Sequence, residues 1–62
     1  MLTPVEEHIL RAVCEGCTNP EIAARLNLST ETVNWYRKRL LTKFGARNAV
    51  QLAGIVMREG IL

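Results

Sequence analysis

The sequence predicts a small all-α domain built from four helices. Its 62 residues are 48% hydrophobic and 23% charged, which is an ordinary balance for a folded domain. Four times, a cap-like residue is followed by apolar side chains at helical spacing, and no segment alternates apolar and polar residues as a strand does. A chain of this length forms one domain, which buries about 60% of the surface of the unfolded chain and leaves no room for a large substrate cavity.

The first two predicted helices begin with the same signal. Segments 3–6 and 18–21 both read Thr-x-x-Glu with a proline inside, which is the pattern of a capping box. Apolar residues follow each segment at helical spacing. Gly16 ends the first helix, and Asn27 suits the left-handed position that ends the second.

The third predicted helix is amphipathic. It begins after the cap Ser29, runs to about Phe44 and stops at Gly45. At about 100° per residue, one face is apolar and collects Val33, Tyr36, Leu40 and Phe44. The opposite face is polar apart from one tryptophan and collects Glu31, Trp35, Lys38 and Thr42. This helix therefore has one side for the core and one side for solvent or a ligand.

The fourth predicted helix begins at Asn48 and stops at Gly60. Its core side collects Leu52, Ala53 and Val56. A second apolar stripe beside that side consists of Val50, Gly54 and Met57. Two apolar faces on the last helix of so small a domain indicate association with a second copy, and the glycine would let two backbones approach closely. The alternative is one broad face that is buried within the domain.

Charge is distributed unevenly along the chain. Residues 1–31 carry five acids and two bases, for a net charge of −3, whereas residues 32–62 carry six bases and one acid, for +5. Five of the eight basic residues lie between positions 37 and 47. Such a cluster favours a polyanionic partner, because neutralisation of phosphates by lysine and arginine dominates affinity for nucleic acids. The alternative is a basic helix face that is simply solvated.

The second and third helices form the pattern of a helix-turn-helix. Only Asn27 and Leu28 separate the second helix from the cap of the third, and Leu28 is apolar and suited to fill the angle between them. In this arrangement the short helix supports the long one, whose side chains enter the major groove of DNA. The groove is about 12 Å wide and a helix with its side chains is about 10–12 Å across, so one helix fits.

Four sequence blocks carry a family resemblance. They are Leu2-Thr3-Pro4-x-Glu6, Glu15-Gly16-Cys17-Thr18-Asn19-Pro20-Glu21-Ile22-Ala23, Leu28-Ser29-x-x-Thr32-Val33 and Lys43-Phe44-Gly45-Ala46-Arg47-Asn48. With these blocks the chain resembles, over residues 2–62, the LuxR-type helix-turn-helix domain, which is the output domain of many bacterial response regulators and quorum-sensing regulators. The resemblance implies a four-helix domain of the winged-helix-like superfamily without a wing. It also implies sequence-specific binding of double-stranded DNA as a homodimer, with the third helix in the major groove and the fourth at the subunit contact.

The resemblance also assigns contacts to individual residues. The base-reading positions of the family correspond in this chain to Asn34, Trp35 and Lys38. Its backbone-contacting positions correspond to Thr18, Asn19, Thr30 and Lys43. The residue types suit base reading, because an asparagine amide pairs with adenine, a lysine reaches guanine or phosphate, and an indole contacts a thymine methyl. Tryptophan is a less usual occupant of its position, and its alternatives are a place in the core or contact with a partner protein.

The remaining basic residues of the cluster are interpreted as contacts to the DNA backbone. Arg37 and Arg39 lie toward opposite sides of the third helix, so at least one is expected on phosphate or in an intramolecular pair. Lys43 and Arg47 favour the DNA backbone, with the C-terminal end of the third helix as their alternative partner. Thr18 is expected to cap its own helix, a role that is compatible with a phosphate contact.

No combination of residues points to catalysis or to a metal. Glu6 is a lone carboxylate, interpreted as a capping residue that pairs with a base such as Arg47. Cys14 and Cys17 have the spacing of a metal or redox motif, but only His8 remains as a further ligand. We therefore expect no enzyme, no cofactor and no metal site.

The final expectations concern the whole protein. The chain has neither a secretory signal nor an apolar run of membrane-spanning length, which predicts a cytoplasmic protein with no membrane contact. Nothing in residues 1–62 would sense a signal, so we expect the C-terminal output domain of a longer regulator, with DNA, a second copy and RNA polymerase as partners. The alternatives are a promoter-recognition module of a sigma factor, or a protein-interaction module that uses Trp35 and the last helix.

Overall fold

The computed structural model describes residues 2–62 and contains four α-helices. They are α1 (Pro4–Cys14), α2 (Asn19–Leu26), α3 (Thr30–Phe44) and α4 (Ala49–Glu59). No strand occurs within residues 2–62. The predicted all-α fold is confirmed, and the predicted third helix matches the bounds of α3.

Reciprocal hydrogen bonds start α1 and α2. The Thr3 hydroxyl accepts from the Glu6 amide at 3.2 Å, while the Glu6 carboxylate accepts from the Thr3 amide at 2.9 Å. Thr18 and Glu21 form the same pair of bonds, at 3.3 and 2.8 Å. Both predicted capping boxes are therefore confirmed, and each satisfies backbone donors that the first helical turn leaves without a carbonyl partner.

Uncharged side chains start α3 and α4. The Ser29 hydroxyl accepts from the Thr32 amide at 3.1 Å, and the Asn48 side chain accepts from the Gln51 amide at 2.8 Å. α3 ends at Gly45, whose φ of 66° lies in the left-handed region that glycine adopts without strain. The predicted limits of both helices therefore have local physical causes.

The turn between α2 and α3 is short because one residue reverses the chain. Asn27 has a φ of 58°, in the left-handed region, as predicted. The Leu28 amide then donates to the Ala23 carbonyl oxygen at 2.9 Å. Leu28 packs half-buried against the core, so it fills the angle between the two helices.

The core lies where the four helices meet. Its buried apolar side chains are Ile9, Leu10, Ala12, Val13, Ile22, Ala23, Val33, Leu40, Leu52 and Val56. Only Val33 and Leu40 of this set come from α3, which packs against each of the other three helices. Because its neighbours cover one side of α3, the other side is left to solvent.

Candidate nucleic-acid interface

The outward side of α3 is exposed along its length. We call this side the outer face and define it by its exposed residues Glu31, Asn34, Trp35, Lys38, Arg39, Thr42 and Lys43. Tyr36 and Phe44 are half-buried on the inner side, beside the fully buried Val33 and Leu40. The predicted two-sided character of the third helix is therefore confirmed. In particular, Asn34 and Lys38 lie in solvent and not in the core.

Trp35 is 57% exposed on the outer face, so its predicted place is confirmed and the alternative of a core tryptophan is wrong. The Trp35 indole and the Tyr36 ring form a T-shaped contact, with 5.1 Å between ring centroids and 83° between planes. The guanidinium carbon of Arg39 lies over the indole, 5.4 Å from its centroid. Sequence reasoning missed this cation–π contact, although the spacing of four residues on one helix is the signal for it.

Arg37 and Arg39 leave α3 in different directions, as their spacing predicts. Arg37 is half-buried and donates from Nη1 to Oδ1 of Asn19 at 3.3 Å, which ties α3 to the first residue of α2. Arg39 donates from Nε to Oε2 of Glu6 at 3.2 Å, which ties α3 to α1. Both arginines therefore have intramolecular partners on opposite sides of the helix.

Glu6 pairs with α3 and not with Arg47, so the predicted partner is wrong. Its carboxylate oxygens lie 3.2 Å from Arg39 Nε and 3.7 Å from Lys43 Nζ. These two bases are four residues apart on the edge of the outer face nearest to α1, whereas Arg47 lies beyond the end of α3. The Arg47 amide instead donates to the Gln51 side chain at 2.6 Å.

The environment of Glu6 favours its charged form. Hydrogen bonding from the Thr3 backbone lowers the pKa of the carboxyl group, and burial opposes this effect. Arg39 and Lys43 lower the pKa of Glu6 further. A buried anion thus sits behind two cations of the outer face, and its own charge is compensated.

The predicted phosphate-contacting threonines lie at helix starts. Thr18 is exposed and precedes α2, and its hydroxyl caps that helix as predicted. Asn19 is half-buried and begins α2, while Thr30 is exposed and begins α3. Backbone amides at such positions suit a phosphate, although the Thr18 amide already donates to Glu21.

The two cysteines lie at the end of α1 and in the segment between α1 and α2. Cys14 and Cys17 are free thiols and half-buried, and burial raises the pKa of Cys14. A raised pKa makes a thiol a poorer nucleophile and a poorer metal ligand at neutral pH. Within residues 2–62, no group of three or more metal-binding side chains comes together.

The second apolar stripe predicted on α4, which consists of Val50, Gly54 and Met57, is exposed to solvent. We call it the bare stripe of α4. Val50 is 83% exposed and Met57 81% exposed, while Leu52 and Val56 on the adjoining side are buried. A Cβ atom added at Gly54 would meet no atom within 4 Å. The alternative of one broad buried face is therefore wrong, and no contact within residues 2–62 explains the glycine.

Comparison with known proteins identifies relatives of the whole domain. The sequence pattern of the luxR family of bacterial regulatory proteins matches residues 1–56. The response regulator Rre1 of Synechocystis is 37% identical over 59 residues, which are 95% of this chain and 26% of Rre1. The regulatory protein SdiA of Escherichia coli is 39% identical over 57 residues, 92% of this chain and 24% of SdiA. DctR of Rhodobacter capsulatus, a transcriptional regulator of C4-dicarboxylate transport, is 42% identical over 48 residues, 77% of this chain and 24% of DctR.

The chain spans about a quarter of the length of each of these three relatives. All three are named as regulatory proteins, and none is named as an enzyme. Among the helices formed by residues 2–62, none combines the length and the apolar character needed to cross a bilayer.

Proposed function

Because the chain belongs to the luxR family of bacterial regulatory proteins, it is a DNA-binding domain for transcriptional regulation, and we propose that α3 reads bases in the major groove. The observation that carries this proposal is the outer face of α3. It presents Asn34, Trp35 and Lys38 within about one helical turn, all exposed and all on the side that no other helix covers. A helix offered in this way enters a major groove without rearrangement of the core.

Each of the three residues has a distinct base-reading chemistry. The Asn34 amide forms two hydrogen bonds with N6 and N7 of adenine, and the Lys38 ammonium donates to O6 or N7 of guanine. The exposed part of the Trp35 indole contacts a thymine methyl group or a sugar. Good contacts of the hydrogen-bonding kind discriminate against a wrong base by about 1–3 kcal/mol each.

Contacts to phosphates hold the domain in register on the duplex. We assign them to residues at two helix starts and to the basic cluster: Thr18, Asn19, Thr30, Arg37, Arg39, Lys43 and Arg47. The hydrogen bond from Arg37 to Asn19 supports this grouping, because it joins the start of α2 to α3. Such contacts raise affinity for every sequence alike and make it sensitive to salt.

The bare stripe of α4 is proposed as the contact between two copies on DNA. Val50 and Met57 supply exposed apolar area, and Gly54 lets the two helices approach closely. One short helix supplies much less area than a stable protein interface buries. The contact therefore acts mainly when DNA has brought two domains together.

We place this domain within a longer cytoplasmic regulator, because its relatives are about four times as long as the matched segment. RNA polymerase is then the downstream partner of the assembled regulator. The family match does not favour the alternative of a sigma-factor module. It likewise does not favour a module whose function is protein interaction through Trp35.

Titration of the domain with fluorescent duplexes of random sequence tests the proposal. We expect binding at low salt, with the logarithm of affinity falling linearly with the logarithm of salt concentration by about 0.9 for each phosphate neutralised. Selection from random duplexes should then yield a motif with two-fold symmetry. Absence of binding at low salt would refute the proposal.

Two variants with the same change in net charge separate base reading from electrostatic attraction to DNA of any sequence. Lys38→Ala and Arg58→Ala each remove one positive charge, but Arg58 lies exposed in the last turn of α4 and outside the basic cluster. We expect Lys38→Ala to lower the ratio of selected-site to random-site affinity, and Arg58→Ala to leave that ratio unchanged. Equal ratios in both variants would argue against α3 as the reading helix.

A further inference from the structure

Glu6 is a fixed anchor at the start of α1. Its side chain is only 3% exposed, and Oε1 accepts a hydrogen bond from the Thr3 amide at 2.9 Å. The Glu6 amide donates in turn to the Thr3 hydroxyl, so both its backbone and its side chain are held. Burial and reciprocal bonding therefore restrict this carboxylate to one position.

The second oxygen of that carboxylate orients a side chain of α3. Oε2 of Glu6 accepts a hydrogen bond from Nε of Arg39 at 3.2 Å, although the two residues are 33 positions apart in the sequence. Nε joins the aliphatic part of the side chain to the planar guanidinium group, so a hydrogen bond to Nε restricts the orientation of the whole plane. The terminal nitrogens of Arg39 extend beyond this bond on a side chain that remains more than half exposed.

The oriented guanidinium in turn restricts the indole. Arg39 lies over the Trp35 ring, and the Tyr36 ring meets it at nearly a right angle. An exposed tryptophan on a helix ordinarily samples several rotamers. Here a cation over the indole and an aromatic ring nearly perpendicular to it favour one of them, while more than half of the side chain stays accessible.

We propose that Glu6, acting through Arg39, is a positioning residue that holds the Trp35 indole for base recognition, so that a residue remote from the bases sets part of the sequence preference. The proposal rests on the function proposed above, because it assumes that Trp35 meets a base. Its physical content is a series of contacts from the cap of α1 to the outer face of α3: Thr3, Glu6, Arg39 and Trp35.

The consequence for recognition is geometric. A thymine methyl is a small target, and an indole contacts it only from a limited range of orientations. Release of Arg39 frees the indole to turn and spreads its contacts over several positions. Discrimination at that base pair should then fall, while attraction to phosphates persists because the cations remain.

Fluorescence of the free domain tests the positioning step without DNA, because Trp35 is the only tryptophan. Glu6→Gln removes the charge that holds Arg39, while its side-chain oxygen can still accept from the Thr3 amide. We expect acrylamide quenching of Trp35 to rise by about 1.5-fold to twofold as the guanidinium stops shielding the ring. Unchanged quenching would overturn the proposal.

Glu7→Gln is the matched control. Glu7 is the neighbouring glutamate of the same helical turn, and its carboxylate pairs with Arg11 at 3.3 Å on the exposed side of α1. The two variants change the net charge equally. Equal quenching changes in both would show a general charge effect and would also overturn the proposal.

Arg39→Lys is a second variant, which keeps the positive charge. It tests the proposal if circular dichroism shows that Glu6→Gln does not fold. A lysine lacks the planar group that Nε bonding orients over the indole. We expect the same rise in quenching as for Glu6→Gln. A value equal to that of the unmodified domain would contradict the series of contacts.

Competition between duplexes that differ at one base pair tests the recognition step. The pair read by Trp35 is first defined as the position whose preference Trp35→Ala abolishes in the selected site. We expect Glu6→Gln and Arg39→Lys to reduce the affinity ratio at that pair by about fivefold, and at other pairs by less than twofold. Glu7→Gln should leave every ratio unchanged.

The outcomes separate this proposal from the proposed function. If the unmodified domain binds no duplex, the proposed function fails, and with it the recognition step, whereas quenching still reports on the contacts of Trp35. If it binds but Trp35→Ala changes no base preference, or Glu6→Gln reduces all ratios alike, only the positioning proposal is overturned. A loss confined to the pair read by Trp35 supports it.

Discussion

The outer face of α3 and the bare stripe of α4 are both exposed, but they differ in chemistry. The first presents cations and an amide beside one aromatic ring, whereas the second presents Val50 and Met57 around a glycine. Charges act over about 10 Å at moderate salt, so under the proposed function the outer face attracts a duplex before contact. Apolar area acts only where surfaces touch. In the proposed function, the outer face therefore brings one domain to DNA, and the bare stripe of α4 contributes only once two domains are adjacent.

The largest effect is expected from Met57→Asp, which changes the bare stripe of α4 and leaves the outer face of α3 intact. An aspartate in the α4 stripe places like charges opposite each other in a paired contact. We expect affinity for a duplex with two half-sites to fall by about 100-fold, since the gain from joining two binding events is lost. Affinity for a single half-site should be almost unchanged.

Val5→Asp is the control for Met57→Asp, because Val5 is an exposed apolar residue on α1 and not on α4. It adds the same charge outside the proposed contact. Native gel shifts on both duplexes measure the two affinities. If Val5→Asp weakens cooperative binding equally, the stripe of α4 is not the contact between copies.

The next largest effect is expected on the outer face. Lys38→Ala should weaken binding to the selected site by about tenfold, because a lost base contact costs about 1–3 kcal/mol. Lys43→Ala should weaken binding to all sequences alike and reduce the salt slope by about one. Anisotropy titrations at several salt concentrations measure both quantities. Equal losses on selected and random duplexes for both variants would contradict the assigned roles.

Gly54→Ala separates the stability of the monomer from the contact between two copies. Alanine at this exposed helical position meets no atom of the domain, so it should stabilise the folded monomer by about 0.5–1 kcal/mol. Cooperative binding to two half-sites should nevertheless weaken, because the added methyl separates the paired helices. Denaturant unfolding and gel shifts measure the two effects. Ala24→Gly, on the exposed side of α2, should reduce stability by a similar amount without affecting cooperativity.

The smallest effect is expected from lowering the pH. It should destabilise α1 and α2, which carry neither the outer face nor the bare stripe. Backbone hydrogen bonds from Thr3 and Thr18 lower the pKa values of Glu6 and Glu21 below the ordinary value of 4.5. Their contribution to stability is therefore fully present above about pH 4.5 and is lost as pH falls through the lower folded values.

Unfolding free energies measured from pH 7 to pH 3 test this expectation. The double variant Glu6→Gln and Glu21→Gln should reduce the loss of stability in acid. The caps of α3 and α4, Ser29 and Asn48, do not titrate in this range. An unaltered pH profile in the double variant would show that the two capping boxes do not cause the acid sensitivity.

The predictions that succeeded depend on short-range rules. A threonine three residues before a glutamate, as at Thr18, produces a cap wherever a helix follows. Asn27 and Gly45 end helices because they adopt left-handed backbone at low cost. The exposure of Trp35 and of Met57 likewise follows from helical periodicity once the core side is known.

The prediction that failed concerned a contact between distant parts of the chain. The sequence pattern predicts Arg47 as the partner of Glu6, but a glutamate on α1 pairs with whichever bases the crossing of α1 and α3 brings to it. That crossing places Arg39 and Lys43 there. Charge and distance along the sequence contain no information about such a crossing.

The start and end of each helix, its apolar side and the concentration of positive charge follow from the sequence alone, because these properties depend on neighbours within about one helical turn. The pairing of Glu6 with Arg39 and of Arg37 with Asn19, in contrast, depends on how the helices pack together. These pairs form between side chains that separate elements bring together, and the packing of the core sets their distance.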